Sequence, residues 1–481
     1  MSGLRPIMLC GTGSDVGKSV LAAALCRIFK QDGYTPSPFK AQNMALNSYV
    51  TPEGLEIGRA QAVQAEAAGL ESQVDMNPIL LKPQGDHTSQ VILNGRSIGN
   101  YTAQEYFHSK GREQLRLAAH EAFDRLTQQY SPIVMEGAGS ISEINLKEQD
   151  IVNLSMARYA GASVILVVDI DRGGVFASSY GSIALQTPED KQLIKGIIVN
   201  KFRGDLRLFD EGRKMLEDIC KVPVLGVIPY FDDIHIEEED SVDLRLKSKK
   251  SMQGKVNIAV VLLKHISNFT DFDVLERDTR VHLFYTNDIQ DIAQADIVII
   301  PGSKNTLGDL YELRRNGCAQ AIIQAHQSGK TVMGICGGFQ MLGKEVLDPL
   351  HIEGDIEQLP GLGLLPMSTS MDGTKTTRQV EFPFQNSLLK GYEIHNGKSV
   401  FSETINHDDK IIIQDKVYGT YVHGILDNAS FIETLLAPYV EKSKMIFNPR
   451  EFKEKQYDLL AKHVRENLDM DCLYSIMREG I

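Results

Sequence analysis

A cysteine set between glycines near position 336 has the local pattern of an activated nucleophile. The segment Val332–Gly338 runs from an apolar stretch through Cys336 into the start of a helix. Small neighbours permit the strained strand-turn-helix backbone that exposes a nucleophile, and a following helix N-terminus lowers a thiol pKa. We therefore predict that Cys336 is a thiol nucleophile. The cysteines at 10, 26, 220, 318 and 472 are predicted to be small packing residues.

A thiol nucleophile needs a base, and histidine is the usual one. Among the twelve histidines, His423 ends an apolar segment and precedes a glycine, so its ring can point into a cleft. His395 is the rival, and the residues alone leave the choice open. The backbone N–H groups of Gly302 and Gly337 are predicted to stabilise an oxyanion, because both follow apolar strands at loop positions.

A glycine-rich loop at 11–19 is a predicted phosphate cradle. Its sequence is Gly11-Thr12-Gly13-Ser14-Asp15-Val16-Gly17-Lys18-Ser19. Glycines let the backbone wrap around a polyphosphate, Lys18 supplies a cation, and the Ser19 hydroxyl suits Mg²⁺. Thr12 stands where the usual pattern has its first glycine, so the loop is a variant. A plain glycine-rich turn is the alternative.

Further residues are candidates to complete a nucleotide site. Glu136 ends the predicted strand Ile133–Glu136, at the sheet edge where ligands of α/β proteins gather. Glu56 is a second candidate Mg²⁺ ligand. Asn200 closes another apolar strand at the same expected edge, where an amide can read the adenine. The alternatives are solvated acids at element ends and a simple turn asparagine.

The strands and helices that must position these residues are predicted to alternate along the chain, in one α/β unit after another. Apolar stretches alternate with amphipathic ones, the pattern of parallel sheets. Predicted strands lie at Ile7–Cys10, Ile133–Glu136, Ser163–Asp169, Gly196–Val199, Val224–Ile228, Val256–Leu263, Ile297–Ile300 and Thr331–Ile335, with antiparallel strands at Lys410–Gln414 and Gly419–Val422. A helix is predicted from Lys18 to about Lys30.

Composition divides the chain into residues 1–235, 236–255, 256–445 and 446–481. The segment 236–255 holds the acid run Glu237–Asp240 followed by lysines, and is predicted to be a solvated linker. The segment 446–481 is predicted to be a helical tail with one apolar stripe. A length of 481 residues fits two or three domains at roughly 150 residues each.

Charge and cysteine usage restrict the class of protein. A net charge of −13 argues against nucleic-acid and anionic-membrane partners. No apolar run approaches the roughly 20 residues that a membrane span needs, and the N-terminus lacks a signal pattern. The six cysteines show no CxxC spacing, which fits a reducing compartment. We expect a cytoplasmic enzyme.

These motifs resemble known families. The segment Gly334–Gly338 with His423 resembles the class I glutamine amidotransferase domain, which implies a flavodoxin-like fold. The loop 11–19 with Glu136–Gly139 resembles the dethiobiotin-synthetase-like ATP domain, a P-loop-type parallel sheet. Their fusion resembles the cobyrinate amidase group over nearly the whole chain. Within it, longer motifs resemble the cobyric acid synthases: Phe39–Ser48, Gly58–Gln61, Asp169–Gly174, Asn200–Asp205 and Gly391–His395.

The resemblance implies a glutamine-hydrolysing synthetase with ATP and Mg²⁺ as cofactors. Cys336 and His423 would release ammonia from glutamine, and ATP would convert carboxylates to acyl phosphates. The implied substrate is adenosylcobyrinic acid a,c-diamide, a corrinoid amidated at its b, d, e and g carboxylates in cobalamin biosynthesis. Lys40, Gln42 and Asn43 are expected to contact it.

One position departs from the amidotransferase pattern, and other functions remain open. Ile425 stands where many class I domains carry a glutamate two residues after the histidine, so we expect either a Cys-His dyad or a carboxylate from elsewhere. The alternatives are an a,c-diamide synthase, a glutamine-sensing binding module, and a partition- or septum-type P-loop ATPase. The last leaves Cys336 and the second half unexplained. The sequence predicts no oligomeric state.

Overall fold

Runs of Val, Ile and Leu form the central strands of the first domain, which are buried on both faces as a parallel sheet requires. The computed structural model describes residues 3–83, 88–108, 111–237, 252–402, 410–440 and 447–479. Neighbouring strands of this sheet are parallel. From one edge to the other they are Val224–Pro229, Ile194–Phe202, Ser163–Asp169, Ile7–Gly11, Ile133–Glu136 and Ser37–Phe39.

The helices of the first domain alternate with its strands, and the predicted phosphate loop lies at the carboxyl edge of the main sheet. The helices are Lys18–Gln31, Arg59–Ala68, Ala103–His108, Gly111–Thr127, Leu154–Ala160, Val175–Ala184, Pro188–Lys191 and Asp210–Cys220. The strand Ile7–Gly11 lies beside Ile133–Glu136, so the loops that follow both strands meet. The α/β prediction and the loop's strand–helix setting are confirmed.

Shorter strands extend the first domain toward the second. Gln42–Met44, Ile79–Pro83, Thr88–Leu93 and Arg96–Thr102 form one small sheet, and Ser48–Val50 pairs with Glu56–Gly58. The backbone N–H of Ser48 donates to the Asn268 side chain (3.2 Å), and the Tyr392 hydroxyl donates to the Ser48 carbonyl (3.1 Å). This hairpin therefore contacts the second domain directly.

The second domain repeats the α/β plan. Its main sheet runs Val281–Thr286, Val256–Val261, Ile297–Ile300, Thr331–Ile335, Val417–Thr420 and Ile411–Gln414, with the last pair antiparallel as predicted. The helices are Asp273–Arg277, Ile289–Gln294, Thr306–Arg315, Cys318–Gln327, Gly337–Met341 and Ala429–Leu436. In a small sheet, Ile266–Ser267 pairs with Gly302–Ser303. Another contains Gln358–Pro360, Glu345–Leu347, Met367–Ser370 and Lys398–Phe401. A further one contains Thr376–Phe384, Ser387–His395 and Val422–His423.

The C-terminal tail packs on the first domain. It consists of separate helices, Pro449–Glu466 and Met470–Glu479, rather than one continuous stripe. The break has a local cause, because the Asp469 side chain accepts a hydrogen bond from the Cys472 N–H (2.9 Å) and starts the last helix. Leu468 lies in this break.

The predicted solvated linker is only partly within the described residues, since 238–251 lie outside them. Its first acid, Glu237, has a side chain only 10% exposed and is therefore not solvated as predicted. The Glu237 carboxylate is ion-paired with Arg59 (2.6 Å) and Lys453 (2.7 Å), because the first domain and the tail both supply a cation there. Glu237 thus joins these parts of the chain.

Candidate functional site

The loop 11–19 closes around the side chain of Lys18. The Lys18 Nζ donates hydrogen bonds to the carbonyls of Gly13 (2.9 Å) and Gly139 (3.0 Å). Gly17 has φ 96°, a left-handed conformation that favours glycine and turns the loop into the helix. Burial lowers the pKa of Lys18. The ammonium therefore lies where two loops meet, and its role in binding a polyphosphate stays a prediction.

Glu136 is the centre of a buried polar cluster beside this loop. Its Oε1 accepts hydrogen bonds from Ser19 Oγ (2.8 Å) and Lys40 Nζ (2.7 Å), and its Oε2 accepts one from Gln64 (2.7 Å). Burial would raise the pKa of Glu136, but Lys40 and the hydrogen bonds outweigh burial and lower it. A charged carboxylate beside a serine hydroxyl is an oxygen donor set that suits Mg²⁺.

The structure does not bring Glu56 to the phosphate loop. Glu56 lies in the strand Glu56–Gly58, where its carboxylate is ion-paired with Lys82 and Lys375. Because Glu56 is not among the residues that line the cavity at the loop, this corrects the expectation that Glu56 helps hold Mg²⁺ there.

Asn200 does reach the loop. Its Nδ2 donates a hydrogen bond to the Val16 carbonyl (2.9 Å), so the side chain supports the loop backbone. Its predicted role in reading adenine stays a prediction. Burial raises the pKa of the neighbouring Cys10 thiol to about 12, in keeping with a packing role.

A cavity of 1490 Å³ opens at the phosphate loop. Ordinary ligand pockets are roughly 300–1,000 Å³, so this one has room for a large second molecule beside a nucleotide. The predicted substrate contacts Lys40, Gln42 and Asn43 lie in its wall. Its cationic lining residues include Arg112, Lys147, Arg158, Arg172 and Lys201, and its exposed apolar ones are Met44, Ile144 and Leu146.

Cys336 has the strained backbone predicted for a nucleophile. Its φ of 52° and ψ of −110° are rare for a residue with a side chain, and strain of this kind clusters at active sites. The strand Thr331–Ile335 precedes it and the helix Gly337–Met341 follows. Gly338 is required for the turn, because a Cβ there would lie 2.0 Å from the Ile300 carbonyl oxygen.

His423 lies between Cys336 and a carboxylate that the sequence did not reveal. Its Nδ1 is 2.7 Å from Asp271 Oδ2, and its side chain also hydrogen-bonds that of Cys336. The other carboxylate oxygen of Asp271 accepts from the Gly424 N–H (3.0 Å), which fixes its orientation. Burial would lower the pKa of His423, but Asp271 and Cys336 outweigh burial and raise it to about 9. Cys336, His423 and Asp271 form a catalytic-triad arrangement.

The carboxylate of the triad therefore does not come from position 425, where Ile425 stands, but from a distant part of the chain. Of the two possibilities, a Cys-His dyad or a carboxylate from elsewhere, the structure shows the second. Asp271 precedes His423 by 152 residues and lies in the turn Phe269–Phe272. An acidic residue between two phenylalanines was the only local signal for it in the sequence, and that signal does not identify a partner.

The rival histidine, His395, has a different environment. Its ring stacks on Tyr421 with centroids 3.8 Å apart, and its Nδ1 lies 3.1 Å from the Gly397 carbonyl oxygen. Burial lowers the pKa of His395 to about 4, so it is neutral at physiological pH. His395 lines the cavity beside Cys336, but His423 holds the triad position.

Both predicted oxyanion glycines lie next to the triad. A Cβ built on Gly302 would be 3.3 Å from His423 Cε1, and one built on Gly337 would be 2.9 Å from the backbone nitrogen of Ser303. The loops that carry these N–H groups therefore converge at the thiol. Their oxyanion role stays a prediction.

The cavity beside Cys336 measures 30 Å³, enough for two or three water-sized molecules at about 10–15 Å³ each. Its lining includes Glu353, which accepts a hydrogen bond from the Thr306 N–H (2.6 Å). Burial raises the pKa of Glu353 to about 7. A glutamine molecule needs more room than this, so the cavity must widen when one binds.

Comparisons with known proteins agree with this arrangement. Residues 7–243 match the CobQ/CobB/MinD/ParA nucleotide binding domain family, and residues 257–431 match the CobB/CobQ-like glutamine amidotransferase domain family. Similar proteins include cobyric acid synthases of Phocaeicola vulgatus (64% identity; 98% of each chain), Bacteroides fragilis (63%; 99% of each) and Parabacteroides distasonis (54%; 99% of each). Within the described ranges, no helix is long and apolar enough to cross a membrane.

Proposed function

Because the chain belongs to the cobyric acid synthase family, we propose that it uses ATP and glutamine to amidate the b, d, e and g carboxylates of adenosylcobyrinic acid a,c-diamide in the cytoplasm. The observation that carries this proposal is the presence of the Cys336 triad and the phosphate loop, with its large cavity, in one chain. Each site supplies what the other lacks, since one releases ammonia and the other activates a carboxylate.

The triad geometry supports glutamine hydrolysis. Cys336 Sγ attacks the amide carbon of glutamine, the C–N bond breaks, and His423 gives its proton to the departing nitrogen, which leaves as NH₃. Water then attacks the glutamyl thioester and gives a proton to His423, which releases glutamate and the thiol. Asp271 holds the imidazole and stabilises its charged form. The N–H groups of Gly302 and Gly337 are suited to the oxyanion.

Carboxylate activation belongs to the first domain. When bound, Mg²⁺-ATP supplies the phosphoryl group that turns a carboxylate, a poor electrophile at neutral pH, into an acyl phosphate. Lys18 and the backbone N–H groups of loop 11–19 would hold the phosphates and stabilise their charge. Ser19 and Glu136 would hold the metal ion, and Lys40 neutralises the Glu136 carboxylate beside it.

The size of the large cavity supports a corrinoid substrate. The proposed substrate carries several carboxylates on a broad apolar ring. Arg112, Lys147 and Arg158 lie in its wall, where Lys147 and Arg158 are also ion-paired with Asp190, and the amides of Gln42 and Asn43 lie in the same wall. Repeated amidation needs an open cavity, because the ring must be presented again for each carboxylate.

The test is mass spectrometry of the corrinoid after incubation with ATP, Mg²⁺ and glutamine. We expect adenosylcobyrinic a,c-diamide to gain amides at b, d, e and g. If this corrinoid stays unchanged while glutamine is hydrolysed, the substrate assignment is wrong. Amides formed at a and c of cobyrinic acid would instead show an a,c-diamide synthase.

A further inference from the structure

The cavity beside Cys336 contains a carboxylate that the triad does not use. Of the residues that the structure describes around this cavity, Glu353 alone is acidic. Its carboxylate accepts a hydrogen bond from the Thr306 N–H (2.6 Å). Within the described part of the chain, no lysine, arginine or histidine forms an ion pair with it. Glu353 is therefore a mostly buried acid without a counter-ion.

The surroundings of Glu353 leave its charged form poorly stabilised. Burial and, to a smaller degree, the nearby Asp348 carboxylate raise the pKa of Glu353 to about 7. The hydrogen bonds of Thr306 and the more distant Lys304 ammonium act in the opposite direction but do not outweigh burial. A carboxylate in this condition is stabilised by a cation that comes to lie beside it.

A second buried carboxylate fixes the position of Glu353. Asp348 is fully buried, and its oxygens accept hydrogen bonds from the N–H groups of Ile352 (2.9 Å) and Glu353 (2.8 Å). The flanking residues His351 and Gly354 are exposed. Glu353 is thus held in a defined place on the side of the cavity nearest the solvent, as a preorganised binding residue is.

Thr306 lies between Glu353 and the turn that carries the thiol. Its N–H donates to Glu353, and its hydroxyl donates to Gln340 Oε1 (3.2 Å). A Cβ built on Gly337, the residue after Cys336, would lie 3.3 Å from the Thr306 hydroxyl oxygen. The carboxylate and the thiol are therefore separated by about one residue, and both line the same cavity.

The charges around the cavity match those of a free amino acid. Glutamine carries an ammonium and a carboxylate on its α-carbon, at the end opposite the amide that Cys336 attacks. The lining includes the ammonium groups of Lys304 and Lys375, which attract a carboxylate, and Glu353, which attracts an ammonium. Glu353 is the member of this set that has no ion pair within the described residues.

We propose that Glu353 binds the α-ammonium group of glutamine and so selects the free amino acid over other primary amides. The inference rests on the proposed function, in which Cys336 hydrolyses glutamine. Bound glutamine supplies the cation that the Glu353 carboxylate lacks. An amide without an α-ammonium leaves that carboxylate buried and unpaired, and a site built in this way rejects such an analogue.

Glutaramate, which is glutamine without its α-ammonium group, tests the assignment. The measurement is kcat/KM for ammonia release from glutamine and from glutaramate by the full-length enzyme. We expect wild type to prefer glutamine, and Glu353→Gln to reduce that preference roughly 10- to 100-fold, which corresponds to one hydrogen bond to a charged group. The loss should come mainly from a higher KM for glutamine.

Two controls separate recognition from structure. Glu357→Gln changes a side chain that is 73% exposed a few residues away, and should keep the wild-type preference. Glutamine α-amide lacks the α-carboxylate but keeps the ammonium, so Glu353→Gln should not change the discrimination between glutamine and this compound. Synthesis from ammonium, which bypasses Cys336, shows that the variant is folded.

The assignment is overturned if wild type uses glutaramate as well as glutamine, or if a folded Glu353→Gln variant keeps the wild-type preference. It is also overturned if kcat falls equally for both compounds, since Glu353 would then act in the chemistry or the fold. If Glu353→Gln does not fold, Glu353→Asp decides, because the shorter carboxylate should retain part of the preference. A wild type that hydrolyses no glutamine contradicts the proposed function instead.

Discussion

At the scale of single residues, Asp271 determines the charge state of the glutaminase site. It accepts the Nδ1 proton of His423 and leaves the other ring nitrogen to Cys336. With a pKa of about 9, His423 is an imidazolium at neutral pH. The imidazolium can supply the proton that the departing ammonia requires.

Replacing Asp271 with asparagine should slow glutamine hydrolysis by roughly 10²- to 10⁴-fold, because the imidazole loses its charge partner and its fixed tautomer. The pKa of His423 should fall from about 9 toward its ordinary value, so the ring loses its proton at a lower pH. The measurement is kcat for glutamine together with the pH profile of Cys336 alkylation.

Asp355→Asn is the control for this change, since Asp355 is an exposed carboxylate of the same domain. Synthesis from ammonium should be unchanged in Asp271→Asn, because that reaction bypasses the triad. An unshifted alkylation profile with full glutaminase activity would mean that Asp271 has only a structural role.

Local sequence patterns predicted those site residues whose position is determined by their immediate neighbours in the chain. Cys336 and Lys18 lie in loops whose backbone conformation depends on glycines. Their position between a strand and a helix was therefore enough to identify them from the sequence. Asp271 and Glu56 depend on partners far along the chain, and no local pattern encodes such a pairing. Glu56 was therefore placed in the wrong site and Asp271 was missed.

At the scale of elements, the helix Pro449–Glu466 belongs to the core of the first domain although it comes near the end of the chain. Leu460 and Val464 are buried in the same apolar cluster as residues of the helix Lys18–Gln31. Arg27 reinforces the contact through an ion pair with Asp458 (2.8 Å). The helix that carries Lys18 is thus supported by the tail.

We expect Leu460→Ala to lower the free energy of unfolding by about 2–5 kcal/mol, because it leaves a cavity between these helices. The measurement is thermal or urea unfolding, with glutamine hydrolysis as a check on the second domain. Lys462→Ala, with 71% of the side chain exposed, should change stability by at most about 0.5 kcal/mol. Equal stability of the two variants would contradict this packing.

Most strands were predictable because apolar β-branched runs are a direct signal of buried parallel strands. The tail was predicted as helix, but the start of a second helix at Asp469 was missed. Glu237 was wrongly predicted to be solvated, because a run of acidic residues ordinarily is. The cations that pair with Glu237 come from distant segments of the chain.

At the scale of the whole molecule, the domain interface reaches the triad. Tyr392 stacks on His423 with ring centroids 5.5 Å apart, and its hydroxyl donates to Ser48 of the first domain. The Asn268 side chain, just before the turn that carries Asp271, accepts the Ser48 N–H. The geometry of the triad is therefore tied to the position of the first domain.

The central claim is that one chain holds separate sites for releasing ammonia and for using it. The most direct measurement is mass spectrometry of the corrinoid product formed by Cys336→Ala, supplied with ATP, Mg²⁺ and either glutamine or ammonium. Lys18→Met serves as the comparison, since it should lose synthesis from both nitrogen sources while still hydrolysing glutamine. We predict that Cys336→Ala forms amides from ammonium and none from glutamine. Synthesis from glutamine by Cys336→Ala, or loss of synthesis from ammonium, would contradict the account.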